Sequence, residues 1–157
     1  MPIHDQLSPD LCNCLALRQA TRHVTQYYDG HLSPAGLRTT QFSILSKLAR
    51  MNTATINAMA DEMVMDRTTL GRTVQPLERD GLIEVRRGRE DRRSRELHLT
   101  DAGKARLRQA TSAWEQAQRG FEAAFGGERA AMMRALLCEA VATDLGPVAD
   151  DATQQEA

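Results

Sequence analysis

Apolar residues recur three or four positions apart from Leu11 to Tyr28, at 11, 15, 17, 20, 24, 27 and 28, and Gly30 follows them. That spacing predicts an amphipathic helix that stops near the glycine. Ser33 and Pro34 then offer an N-cap and a first-turn proline, and Phe42, Leu45, Leu48 and Ala49 make the face of a second helix ending near Met51 and Asn52. A short third helix is expected from about Thr55 to Glu62, with Ile56, Met59, Ala60 and Met63 on one side. Asp66 can cap a fourth, in which Leu70, Val74 and Leu77 form the inward stripe and Gly81 supplies the stop.

The period then changes. Leu82 to Val85 and Leu97 to Leu99 read as two short strands joined by an Arg-rich connection, a hairpin with a long charged tip. Thr100 and Asp101 cap a helix whose apolar positions, Leu107, Ala110, Trp114, Ala117, Phe121 and Ala124, continue to Gly126 and Gly127. About 24 residues at 1.5 Å each make it about 36 Å long, more than a small module needs for its own core. A last helix from Glu128 to about Asp144 has Met132, Met133, Leu136, Leu137, Ala140 and Val141 on one broad apolar side, which suggests burial against a second subunit.

The expected fold is therefore mainly α with a small β-hairpin, an α+β arrangement. It is one domain over 1–157, with a winged helix-turn-helix at 53–100 and a helical dimerisation region made of 8–50 and 101–145. Residues 1–8 and 146–157 are polar and punctuated by Pro or Gly, so disordered ends are expected.

Composition narrows the class. The chain is 157 residues long and 41% hydrophobic, enough to bury a core without disulfides or metals. No apolar run approaches the roughly 20 residues that cross a bilayer, and no secretory leader is evident, so a soluble, cytoplasmic protein is expected. Cys12, Cys14 and Cys138 form neither an even disulfide framework nor a metal-ligand pattern, and His23 and His31 have no carboxylate cluster near them; neither metal nor cofactor is expected. Phosphate loops, nucleophile elbows and paired carboxylates at helical spacing are missing, which argues against an enzyme.

Net charge is only −1, but it is segregated. Six arginines, at 86, 87, 89, 92, 93 and 95, face Glu90 and Asp91 alone, whereas Glu139 to Ala157 carries five acids and no base. Guanidinium groups so crowded repel one another unless a polyanion is near. A short helix, a tight turn and a second helix would place that second helix in the major groove of duplex DNA. Its outward positions are Arg67, Thr68, Thr69, Arg72, Gln75 and Arg79. Arg72 suits bidentate reading of guanine and Gln75 of adenine; Thr68 and Thr69, near the helix start, suit phosphate or a thymine methyl. Pro76 should bend the C-terminal half of this helix. At the hairpin tip Arg93 suits a narrowed minor groove, with Asp91 holding its guanidinium extended; Arg92 suits phosphate, and Arg86, Arg87, Arg89 and Arg95 supply affinity without sequence information. A winged helix that binds proteins rather than DNA is the rival reading.

The run Met65-Asp66-Arg67-Thr68-Thr69-Leu70, then Leu77-Glu78-Arg79-Asp80-Gly81-Leu82-Ile83, then Asp91-Arg92-Arg93-Ser94, then Leu97-His98-Leu99-Thr100-Asp101-Ala102-Gly103 resembles the MarR family of regulators, from about Leu11 to Val141. The resemblance implies a homodimer whose first, fifth and sixth helices intertwine, reading a palindrome in double-stranded DNA with half-sites about one helical turn apart. It also implies a repressor released by small aromatic acids or by thiol oxidation. Alignment on Tyr28 and on Thr40-Gln41-Phe42 with the organic hydroperoxide-sensing subgroup puts Cys14 at the reactive position and Tyr28 on one of two supporting tyrosines, the other falling on Arg18. Cys12 or Cys138 would then resolve an oxidised Cys14. For an aromatic acid, Arg18 or Arg38 would meet the carboxylate and Tyr27, Tyr28 or Trp114 would stack.

Overall fold

The computed structural model describes residues 9–88 and 91–146. The elements in chain order are α1 (Asn13–Leu32), α2 (Thr39–Met51), β1 (Thr53–Thr55), α3 (Ile56–Glu62), α4 (Arg67–Arg79), β2 (Ile83–Arg87), β3 (Arg95–Leu99), α5 (Asp101–Phe125) and α6 (Gly127–Ala142). They belong to two compact units, one up to Gln118 and one from Arg119. The ends expected to be disordered, and Arg89 and Glu90, lie outside the described residues, apart from Gly146.

In the first unit the stripes read for α2, α3 and α4 are largely buried, whereas the α1 stripe is not: Leu11, Leu17, Ala20 and Tyr27 are exposed and only Tyr28 is buried. Leu45 and Leu48 of α2, Met59 and Ala60 of α3, and Leu70, Val74 and Leu77 of α4 join Ile83 of β2 and Leu97 of β3 in one core. Two boundaries differ from expectation. α1 continues through Gly30 to Leu32, and Ser33-Pro34 open a single 3-10 turn rather than α2. The chain turns at Gly36, and α2 starts at Thr39, where Asp29 does the capping. One oxygen of Asp29 accepts both the backbone N–H and the hydroxyl of Thr39 at 2.7 Å, and the other accepts from Arg38 at 3.3 Å. Burial raises the Asp29 carboxyl, but the bonds from Thr39 and Arg38 outweigh it and hold the group below its ordinary value. This cap therefore contributes its stability at neutral pH and loses it as pH falls through that depressed value.

The hairpin is also not alone. β1 pairs antiparallel with β3, Thr53 opposite His98 and Thr55 opposite Glu96, giving a three-stranded sheet of order β1-β3-β2. Both helices of the helix-turn-helix end in the same cap. At the end of α4, Gly81 (φ 71°) donates its N–H to Glu78 O, Leu82 donates to Leu77 O, and the two leucines are buried beneath. This is a Schellman cap, and it explains the spacing of the Leu-Glu-Arg-Asp-Gly-Leu run. At the end of α3, Val64 (φ 52°) donates to Asp61 O and Met65 to Ala60 O. A β-branched, 70% exposed valine occupies the left-handed position there. Such a residue is strained by about 1 kcal/mol or more. Val64→Gly is accordingly expected to raise stability by about 1 kcal/mol, read as a higher urea midpoint; a lower midpoint would show that the turn carries no strain.

In the second unit Phe121 and Phe125 stack at 5.3 Å, Arg129 covers the Phe125 ring, and Arg134 pairs with Glu122 at 3.2 Å. On α6 these contacts leave Met132, Leu136 and Val141 more than half exposed.

Candidate nucleic-acid interface

The recognition face is built by α4. Asp66 caps it, Oδ1 accepting the Thr69 N–H at 2.8 Å and Oδ2 the Thr69 hydroxyl at 2.5 Å, bonds that lower the Asp66 carboxyl pKa. Thr69, expected to offer its hydroxyl outward, has it committed to the cap. With Leu70, Val74 and Leu77 inward, the exposed positions of α4 are Arg67, Thr68, Thr69, Arg72, Gln75, Glu78 and Arg79. α4 runs without interruption through Pro76 to Arg79, so Gln75 stays on the helix. Arg79 meets Asp80 at 3.4 Å.

At the hairpin tip the described residues, Gly88 and Asp91–Ser94, are tied together by hydrogen bonds. Gly88 N–H donates to Ser94 O at 3.0 Å, and the Ser94 N–H and hydroxyl both donate to Asp91 O, at 3.0 and 2.7 Å. The Asp91 carboxylate accepts the backbone N–H of Arg93 at 2.8 Å. Asp91 thus orders the peptide that carries Arg93, where a bond to the guanidinium was expected; a backbone amide two residues on is within reach of a short carboxylate wherever the chain turns. Arg92, Arg93 and Arg95 are exposed. Arg86 is exposed too, but Glu84 takes its guanidinium at 2.6 Å, lowering the Glu84 pKa and raising that of Arg86. Positions two apart on a strand share a face, so this pairing was readable in advance.

Between α3, α4 and the wing lies a groove of about 490 Å³, walled by Arg67 on one side and Arg93 and Arg95 on the other. Thr55, Asn57, Ser94 and Glu96 also line it; none of these was singled out from sequence. The register of β3 would have found Glu96, and the short β1 that brings Thr55 there has no period to read.

Around α1 the expected sensing residues scatter. Cys12 is the N-cap, its Sγ accepting the Leu15 N–H at 3.4 Å, and Cys12, Cys14 and Cys138 are exposed thiols. Arg18 is exposed one turn from Cys14. Tyr28 lies fourteen residues beyond Cys14 on the same helix, about 21 Å of rise, so one chain does not bring them together. The Tyr28 hydroxyl instead donates to Gln118 Oε1 at 2.7 Å. Tyr27 packs edge-on against Tyr28 and His31. Trp114 stacks on Phe42 at 5.9 Å as part of the core wall, and Arg38 is held by Asp29. Among the described residues no three His, Cys, Asp or Glu side chains could hold a metal, and no helix is long and apolar enough to cross a membrane.

Two helices joined by a capped turn, with a basic hairpin beside the second, define a winged helix-turn-helix. The sequence model of the MarR family matches residues 37–94. A transcriptional regulator of Mycobacterium tuberculosis, MosR, solved in complex with DNA, is 35% identical over 83% of this chain and 96% of its own, with a TM-score of 0.73. The organic hydroperoxide resistance transcriptional regulator of Bacillus subtilis is 30% identical over 57% of this chain, and the regulator PetP of Rhodobacter capsulatus 32% identical over 53%. These alignments span 61% and 50% of those two relatives. The chain belongs to the MarR family of transcriptional regulators.

Proposed function

We propose that the protein is a cytoplasmic, sequence-specific regulator that binds palindromic double-stranded DNA as a homodimer, acts as a repressor, and is released by a small aromatic acid or by thiol oxidation. The observation that carries this reading is the groove in which Arg67 of α4 faces Arg93 and Arg95 of the wing, beside the exposed Arg72 and Gln75. α4 supplies base contacts in the major groove, and the wing arginines hold phosphate and the minor groove. In this scheme 53–100 reads DNA, while 8–50 and 101–145 join the subunits within one domain. The exposed apolar residues of α6 support that pairing. DNA in the solved MosR complex supports the partner, and the name of the Bacillus relative supports oxidation at Cys14 or the capping Cys12.

The test is binding to a duplex selected from a random pool, measured by fluorescence anisotropy against salt. Six or more phosphate contacts per dimer predict a loss of about 10³-fold or more between about 50 and 200 mM salt. An affinity flat in salt would instead indicate an apolar protein-binding surface and sink the DNA reading. Adding cumene hydroperoxide or a small aromatic acid to the same complex separates the release routes. Peroxide release that survives in Cys12→Ser/Cys14→Ser would remove both of these thiols from the switch.

A further inference from the structure

Two groups lining the phosphate groove have the wrong sign for a polyanion: Asp91, whose carboxylate accepts the Arg93 N–H, and Glu96. Glu96 lines it together with Arg67, Arg93 and Arg95. Its Oε2 lies 3.3 Å from Nε2 of His98, and both side chains are only about one-fifth exposed, at 18% and 21%. The register sets Glu84 opposite His98 and Arg86 opposite Glu96, so the four share the outer face of the sheet while Leu97 faces the core. Within the sheet, the charged groups facing His98 are thus Glu96 on its own strand and Glu84 and Arg86 on β2; β1 opposes it with the uncharged Thr53. Glu84 is itself engaged by Arg86.

We propose that Glu96 limits how tightly the groove holds the DNA backbone, and that protonation of His98 relieves the limit, so that DNA affinity rises as pH falls. The inference rests on reading the groove as a backbone site. Asp91 and Glu96 each set one negative charge against the three guanidinium groups, well within a Debye length of any phosphate bound there, and Glu96 is the one that touches an imidazole. An imidazole changes charge between about pH 8 and 5; once protonated it donates to Glu96 as a cation and neutralises it. The coupling is reciprocal, so DNA binding must also favour the protonated ring. Neither residue needs to touch DNA for this to operate, because the effect is one of local charge.

The test measures affinity for the selected duplex at constant salt from about pH 8 to about pH 5.5. The wild type is expected to tighten about two- to fivefold on acidification, the range for one partly screened charge. Glu96→Gln is expected to bind tighter than wild type at pH 8 by a similar factor and to lose the pH dependence. His98→Gln is expected to stay at the weaker level across the range, which separates His98 from the other histidines of the chain. Weaker or unchanged binding by Glu96→Gln at pH 8, or a wild-type pH slope in His98→Gln, would overturn the proposal. Should Glu96→Gln fail to fold by thermal unfolding, the NMR titration of the His98 ring decides, since its midpoint must rise when duplex is added and a static midpoint overturns the proposal. Absence of duplex binding at every pH would fail the DNA reading itself, whereas pH-independent binding would fail only the role of Glu96 and His98.

Discussion

Replacing Gly103 by alanine is expected to destabilise the fold by about 3 kcal/mol or more, although alanine is the better helix former. Gly103 sits buried in the first turn of α5, and a Cβ there would overlap the carbonyl oxygen of Leu82 and lie 2.7 Å from Cδ1 of Leu99. The Leu82 carbonyl cannot give way. Leu82 O accepts the Thr100 N–H at 3.2 Å and its hydroxyl at 3.1 Å, and the same hydroxyl lies 2.7 Å from Gly81 O. Thr100 Oγ1 in turn accepts the Gly103 N–H at 2.9 Å, capping α5. The Leu-Thr-Asp-Ala-Gly run is therefore a joint: it seats the long helix against the start of β2, immediately after the Gly81 cap. Moving that seat would displace the Leu77 and Leu82 contact and the hairpin together. Urea unfolding followed by circular dichroism would measure the loss. Gly71→Ala in α4, where an added Cβ meets nothing within 4 Å, is the control and should raise stability by up to about 1 kcal/mol. A Gly103→Ala midpoint equal to that of wild type would refute the joint.

What could be read in advance divides along the range of the interactions. The α4 stripe and the two hairpin strands follow from periods of 3.6 and 2 within single elements, and the structure buries Leu70, Val74 and Leu77 as that spacing requires. Three-residue β1 carries no period, so its pairing with β3 was invisible. The start of α2 was misplaced because its capping carboxylate comes from Asp29, ten residues upstream, and outcompetes the local Ser33-Pro34 signal. Among site residues, exposure of Arg67, Arg72, Gln75, Arg92, Arg93 and Arg95 follows from which side of an element they occupy. The pairing of Arg86 with Glu84 and the commitment of Thr69 to Asp66 are local too, and a count of positive charge alone overlooks them. The approach of Gly103 to Leu82 is tertiary, and sequence offers only the glycine. Trp114 shows the same limit in reverse: an aromatic with an apolar period serves the core or a ligand equally, and only its stacking on Phe42 separates them.

Gly88→Ala is expected to weaken DNA binding about as much as Arg93→Ala, by tenfold to a hundredfold for a contact of about 1–3 kcal/mol, although it removes no charge. The reason is geometric. A Cβ on Gly88 would overlap the Ser94 hydroxyl and lie 2.5 Å from Asp91 O, the two groups whose bonds close the tip. Opening that turn releases the Arg93 peptide from the Asp91 carboxylate and returns to a flexible loop the side chain that must be held extended. The binding energy of the guanidinium is then spent on ordering it. Because the two substitutions remove the same contact, their effects should not add, and Gly88→Ala/Arg93→Ala should bind within a fewfold of Arg93→Ala alone. Stability should change less than in Gly103→Ala, since Gly88, although itself buried, lies outside the core. Salt response gives a second comparison: Arg93→Ala lowers the slope of log affinity against log salt by about 1 per subunit, and Gly88→Ala should match it only if Arg93 is truly disengaged. Measured side by side on one duplex, wild-type affinity in Gly88→Ala would mean that the turn does not position Arg93. Full additivity in the double variant would mean that Gly88 acts through some other contact of the wing.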